Sequence, residues 1–285
     1  MKSIIPESEL VLNQDGSVYH LNLLPEDVAD TVFLVGDPDR VSEVSRYFDS
    51  IELKKNKREF VAHTGYIGSK RLTVLSTGIG TDNIDIVLNE LDALIHVNLK
   101  TREIIQNARK LNLIRIGTSG ALQKNIPVDS ILISKAGLGL DNLMWYYQIN
   151  PDKDFRAYGL KLGLDFVWPY QFNCAEELNS KFPADIRRGL TATCSGFYAP
   201  QGRMLRMPIT EPDFISKLSS LEFGDQKVTN FEMETAAIFG LSKLFGFNAL
   251  AVNAIVANRI THEFSKNPHD TIDATIRLVL ESVCK

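Results

Sequence analysis

Along the chain, short apolar β-branched runs alternate with longer stretches whose apolar residues recur at helical spacing. Thr31 to Val35 (TVFLV) is continuously apolar and too short for a helix, and it stops at Gly36-Asp37-Pro38, so it predicts a buried strand running into a helix. Asp37 can cap that helix and Pro38 can take its first position, with Val41, Val44, Tyr47 and Phe48 following at helical spacing. Two more strand-like runs cover 59–67 and 72–75. The second enters Ser76-Thr77-Gly78-Ile79-Gly80 and then a helical pattern of Ile84, Val87, Leu88, Leu91, Leu94 and Ile95. Strands are predicted again at 113–116, 130–134, near 190–193 and at 249–256. Ala237, Ile238, Leu241, Leu244 and Phe245 mark a helix stopped by Gly246, and a closing helix takes Asp270 as its N-cap, with Ile272, Ile276, Val279, Leu280 and Val283 on one face. The polar stretches 150–154 and 173–188 read as surface excursions, and no internal repeat is present.

This alternation predicts an α/β fold, a single three-layer α/β/α domain over residues 1–285 with a central mixed sheet and ligands at the ends of the strands. Residues 1–30 read as an N-terminal arm and 141–190 as a variable, insertion-like region, rich in aromatic residues over 141–169.

Composition narrows the function. With 44% hydrophobic and 23% charged residues, the chain carries enough apolar material for a core, which excludes a disordered protein. The net charge of −4 has the wrong sign for a protein that neutralises nucleic-acid phosphates. Cys174, Cys194 and Cys284 are far apart, fit neither a disulfide framework nor zinc-ligand spacing, and suit a reducing cytoplasm without a bound metal. No stretch approaches the roughly 20 apolar residues of a membrane span, and Met1 to Asp15 lacks the apolar centre of a signal peptide.

The chemistry-bearing residues cluster at the predicted strand ends. In Gly36-Asp37-Pro38-Asp39-Arg40 a glycine, a helix start and a forked cation suit an oxyanion, although a capped helix with a surface arginine would read the same. Arg115 lies inside the apolar run Leu113 to Gly117, where its charge needs either an internal salt bridge or a bound anion; Thr118 stands three residues on. Arg58 sits in a charge run whose default is solvation. In Ser195 to Arg203 an aromatic pair precedes Gln201 and Arg203; on an extended backbone the two would point to one side and present an amide and a cation to a planar heterocycle, with Phe197 on its face. The alternative is a loop with scattered polar tips. Glu232 and Glu234, flanking Met233, either cap the next helix or hold sugar hydroxyls.

Taken in order, GDPDR (36–40), REF (58–60), STGIG (76–80), RIGTSG (115–120), FYxxQGR (197–203), FEMET (231–235) and ANR (257–259) resemble the motifs of nucleoside phosphorylases of the uridine phosphorylase type, from about His20 to the C-terminus. The resemblance implies a nucleoside phosphorylase-like fold and reversible phosphorolysis of uridine to uracil and ribose 1-phosphate. It implies a phosphate cradle of Gly36, Arg40, Arg115 and Thr118, completed by Arg58 of a neighbouring subunit. Ribose contacts would come from Thr118, Met233, Glu234 and the neighbour's His20, and base contacts from Gly120, Phe197, Gln201 and Arg203. Arg115, Glu234, Gln201 and Arg203 are the expected catalytic set. A shared site implies a homo-oligomer, at least a dimer, in the cytoplasm. Phosphate is the co-substrate and no organic cofactor is implied; Thr81-Asp82-Asn83 stand where bacterial relatives carry the small stretch that helps hold a monovalent cation between subunits, and Asn83 argues against that ion here. The chemistry is coherent: cleaving the glycosidic bond builds positive charge on the anomeric carbon and negative charge on the departing base, so an anion is needed below the first and donors around the second. The rival readings are a purine nucleoside phosphorylase, a nucleosidase using water, and a non-catalytic nucleoside-binding protein. The late strand ends Ala257-Asn258-Arg259, without the aspartate usual in the purine branch.

Overall fold

A computed structural model describes residues 4–284; residues 1–3 of the expected arm and residue 285 lie outside the described residues. The principal elements are β1 (Thr31–Val35), α1 (Pro38–Ser45), β2 (Ser50–Lys57), β3 (Phe60–Ile67), β4 (Lys70–Ser76), α2 (Thr81–His96), β5 (Asn112–Ala121), β6 (Ile131–Gly139), β7 (Tyr170–Asn173), β8 (Arg187–Thr193), β9 (Gln226–Glu232), α3 (Thr235–Phe245), β10 (Asn248–Asn258) and α4 (Pro268–Cys284). The alternation of side chains along β1 sets the layers. Val32 and Leu34 join the core beneath α2 and α3, while Phe33 and Val35 join the core beneath α1 and α4. Burial on both faces is the reason this strand is continuously apolar.

The sheet is mixed and runs β2-β3-β4-β1-β5-β10-β6-β8-β9, and β9 pairs with β5 as well, so its last five strands close on themselves. β1 lies parallel between β4 and β5, with Val35 opposite Ser76 and Leu34 opposite Arg115. The turns at Gly36 and Gly78 therefore leave the sheet at one edge, beside Thr118 of β5, which does not stop at Ile116 as the apolar run suggested but stays paired with β10 through Ala121. Asp37 caps α1 by accepting the Asp39 N–H at 3.0 Å, Pro38 begins the helix, and Gly246 ends α3 in the left-handed conformation.

Several elements depart from the sequence expectation. The strand β2 was not foreseen, because SIELKKNK is polar and its strand is a largely exposed member of a hairpin with β3. Nor was β7, which docks on β6 with the Tyr170 ring across Gly139, where a Cβ would stand 2.1 Å from the ring. β6 continues past Ser134 to Gly139, with Lys135 its exposed residue. The segment 173–188 is more than a surface excursion: Leu178 and Phe182 are buried against α4 and β10. α4 begins at Pro268, so Asp270 lies in its first turn rather than at its cap. The segment before β1 is packed in place, with Val18, Leu21 and Leu23 in the core under α2.

Candidate active site

At the sheet edge defined by Gly36, Gly78 and Thr118 a cavity of about 700 Å³ opens. Gly36, Arg40, Arg115, Thr118, Gly120, Phe197, Gln201, Arg203, Met233 and Glu234 all line it. Distant stretches of chain converge because they follow neighbouring strands. Two expected residues lie elsewhere in their own subunit. Arg58 is exposed at the tip of the β2–β3 hairpin with φ 56°, and His20 is held by Glu90, which contacts its Nδ1 at 2.7 Å and accepts its backbone N–H at 2.9 Å.

One end of the cavity is cationic. Arg40, one turn into α1, is largely buried, and its Nε has no hydrogen-bond partner among the described residues; the carboxylate of Glu43 is 4.0 Å away. Burial holds its pKa below the usual arginine value, with Arg115 adding to that effect and Asp37 and Glu43 opposing it. Arg115 extends from β5 across Gly117, where a Cβ would fall 1.6 Å from Nη1, so glycine there is a steric requirement of the arginine's path.

Arg115 is 6% exposed and has internal partners. Its Nη2 donates to Glu234 and lies 3.2 Å from Glu232, and its Nη1 donates to Asn253 at 3.2 Å. Of the alternatives left open for this residue, the internal salt bridge is present, and the same side chain also lines the cavity. Burial works against its charge, but Glu232 and Glu234 outweigh burial and raise its pKa. Burial, with Glu232 adding to it, raises the Glu234 pKa against the pull of Arg115. Glu234 also accepts the Gly80 N–H at 2.8 Å. Behind Arg115 a buried polar chain crosses the closed part of the sheet: Asn253 donates to Ser134, Ser134 meets Thr191, Thr191 donates to Asn230, and Asn230 donates to Ser119 in the cavity wall. Every member is satisfied, which fixes the floor.

The opposite end carries the amide and the second guanidinium. The backbone here is not extended as expected: Ala199–Gln201 form a 3-10 turn and Gly202 is left-handed at φ 64°. The side chains converge for that different reason. Arg203 donates to Gln201 Oε1 and to the Phe197 carbonyl, each at 2.6 Å, and its guanidinium stacks 3.8 Å over the Phe197 ring. Arg259 donates to the Gln201 carbonyl at 3.1 Å. Burial and then the neighbouring Arg259 push the Arg203 pKa down to about 10, which leaves it charged at neutral pH.

The cavity also contains residues that motif reading left without a role: Glu59, Asn83, Ser119, Phe231, Val256 and Phe264. Glu59, Ser119 and Phe231 lie within quoted motifs and Asn83 close to one, so proximity could have flagged them; Phe264 stands on a short strand after β10 and carried no signal. Glu232, read as one of two alternatives, is here both a helix cap and an ion-pair partner: it accepts the N–H groups of Glu234 at 2.9 Å and of Thr235 at 3.0 Å.

Fold and pocket together define an α/β protein that can bring an anion and a planar polar ring to opposite ends of one cavity. Residues 30–285 match the Phosphorylase superfamily, and the chain belongs to that family. It is 32% identical over 253 residues to a uridine phosphorylase of Thermococcus kodakarensis, covering 89% of this chain and 82% of the relative. A purine nucleoside phosphorylase of the DeoD type from Buchnera aphidicola is 27% identical over 94% of this chain and 99% of its own length. Among solved structures, a Trypanosoma brucei nucleoside phosphorylase, described as showing uridine phosphorylase activity, superposes with a TM-score of 0.85 at 30% identity, covering 96% of this chain and 99% of the other.

Proposed function

We propose that this protein is a pentosyltransferase that catalyses the reversible phosphorolysis of uridine, giving uracil and ribose 1-phosphate. The observation that carries this reading is the distribution of donors around Glu234: Arg40 with an unpartnered buried nitrogen and Arg115 on one side, the Gln201–Arg203 pair on the other. Phosphate lies against Gly36, Arg40, Arg115 and Thr118, and needs no general base because it arrives ionised and only has to be positioned. Glu234 and Met233 hold the ribose. Gln201 and Arg203 bind the uracil edge and stabilise the negative charge that develops on it as the bond breaks. Arg58 and His20, neither of which lines its own cavity, complete the site of a neighbouring subunit in a homo-oligomer. The reaction takes place in the cytoplasm as a step of pyrimidine salvage, with phosphate as co-substrate and no organic cofactor.

A pyrimidine is favoured over a purine by Asn258. At the end of β10, where the purine branch places its aspartate, Asn258 is spent on structure: it donates to the carbonyls of Gln123 and Ile126 and accepts the N–H groups of Ile260 and Thr261. The test is ultraviolet monitoring of purified protein with uridine, inosine and methylthioadenosine, each with and without phosphate. Phosphate-dependent loss of uridine is expected to dominate. Cleavage that ignores phosphate would make the protein a nucleosidase, faster inosine turnover would place it with the purine enzymes, and binding without turnover would make it a nucleoside-binding protein.

A further inference from the structure

Two buried carboxylates, Glu232 and Glu234, face the single guanidinium of Arg115, so the cluster holds a surplus of negative charge inside the wall of the cavity. The two are not equivalent. Both oxygens of Glu232 are anchored by protein donors: Oε1 accepts from the Thr193 hydroxyl at 2.7 Å and from Thr235 N–H at 3.1 Å, and Oε2 from the N–H groups of Glu234 and Thr235 at 2.9 and 3.0 Å. These are donors of β8 and of the start of α3, where the helix dipole also favours an anion. Both line the cavity, but among the described residues Glu234 has two donors, the Gly80 N–H and Arg115, for a group with about four acceptor positions.

We propose that Glu232 is a positioning residue, the permanent counter-ion of Arg115, whose presence lets Glu234 exchange its bond to Arg115 for the hydroxyls of the incoming sugar. This rests on the phosphorolysis reading. Without Glu232, Glu234 would be the sole counter-ion of a buried arginine, and the sugar would have to break that pair to bind. The groups facing Glu234 are Arg115 from β5, Glu232 from β9 and the Gly80 amide ahead of α2; Arg40 of α1 stands beyond Arg115.

The near-isosteric variant Glu232→Gln tests this through the separate KM values of the full-length enzyme. A rise of about tenfold in the KM for uridine is expected, the scale of one lost charge-assisted contact, with the KM for phosphate unchanged or lower because an anion near it has been neutralised. The acid limb of kcat/KM for uridine should also move to lower pH, since the negative neighbour that raises Glu234 is gone. An unchanged uridine KM, or an equal rise in both KM values with a lowered melting temperature, would overturn the inference. If Glu232→Gln does not fold, Glu232→Asp, which keeps the charge but withdraws it by one methylene, is measured instead. A smaller rise in uridine KM at constant phosphate KM supports the role, and wild-type constants overturn it. A wild-type protein without phosphate-dependent cleavage of uridine would sink the underlying reading as well, which an active wild type with an indifferent variant would not.

Discussion

Arg40 is the residue whose environment most demands a ligand. A buried donor without a partner costs about 1–3 kcal/mol, and the Nε of Arg40 is such a donor at the mouth of a helix start. Arg40→Met removes that cost while keeping the volume of the stem. The variant should therefore melt at or above the wild-type temperature in phosphate-free buffer, yet show a KM for phosphate raised at least about tenfold. A thermal scan and a phosphate titration of the rate check the two halves, and a wild-type phosphate KM would remove Arg40 from the anion site. Arg203 is different, since it already has acceptors in Gln201 and the Phe197 carbonyl. Its value lies in the charge that develops on the base, so Arg203→Ala should lower kcat for uridine by about tenfold or more with little change in phosphate KM. Separate titration of the two substrates shows whether the loss falls on the base side.

Among the elements, the turn between β4 and α2 does the most with the least. Gly80 stands at φ 97°, a conformation costly for any other residue, and a Cβ there would lie 2.7 Å from the Asp82 side chain. This backbone aims the Gly80 N–H at Glu234, 2.8 Å away. Gly80→Ala should cost about 1–3 kcal/mol of stability and raise the KM for uridine through loss of that bond. Denaturant unfolding and uridine titration measure the two effects, and a stability loss with unchanged uridine KM would restrict the turn to an architectural role. The segment between β6 and β7 is tied down by comparable close approaches, with Met144 against Gly240 of α3 and the Tyr147 hydroxyl bonded to Asp85 and Asn89 of α2. Of its aromatic residues Tyr147 is tied to α2 and Phe155 packs on Phe223, while Tyr146, Phe166 and Trp168 are exposed; the residue pattern could not disclose these contacts because each partner lies far away in sequence.

For the whole molecule the decisive matter is what Arg58 and His20 face. In the proposed oligomer each cavity takes Arg115 from its own subunit and Arg58 from the neighbour, so Arg58→Ala and Arg115→Ala should each be strongly impaired. Co-refolded in equal amounts, half of the dimers would be mixed and each mixed dimer would hold one intact site, giving about one quarter of wild-type activity if the site is shared. Activity no greater than the sum of the two variants alone would show that each subunit works by itself.

The strand and helix pattern around β1, the glycine turns, and most of the polar residues of the cavity, though not Glu59, Asn83 or Ser119, were legible from local order, because strands buried on both faces read as apolar runs and ligand residues cluster where those runs stop. Polar β2 and the short β7 were not legible, since their pairing is specified by partners in β3 and β6 and not by their own periodicity. Nor could spacing show that Gln201 and Arg203 converge through a 3-10 turn with a left-handed glycine. The amino-acid order by itself determined which groups are available: guanidiniums at strand ends, an amide beside a cation, and two carboxylates before a helix. Only the tertiary structure decided how their charges are shared, leaving the Arg40 Nε without a hydrogen bond among the described residues and tying Arg115 between Glu232 and Glu234, because ion pairing in a buried site depends on distances that no sequence interval encodes.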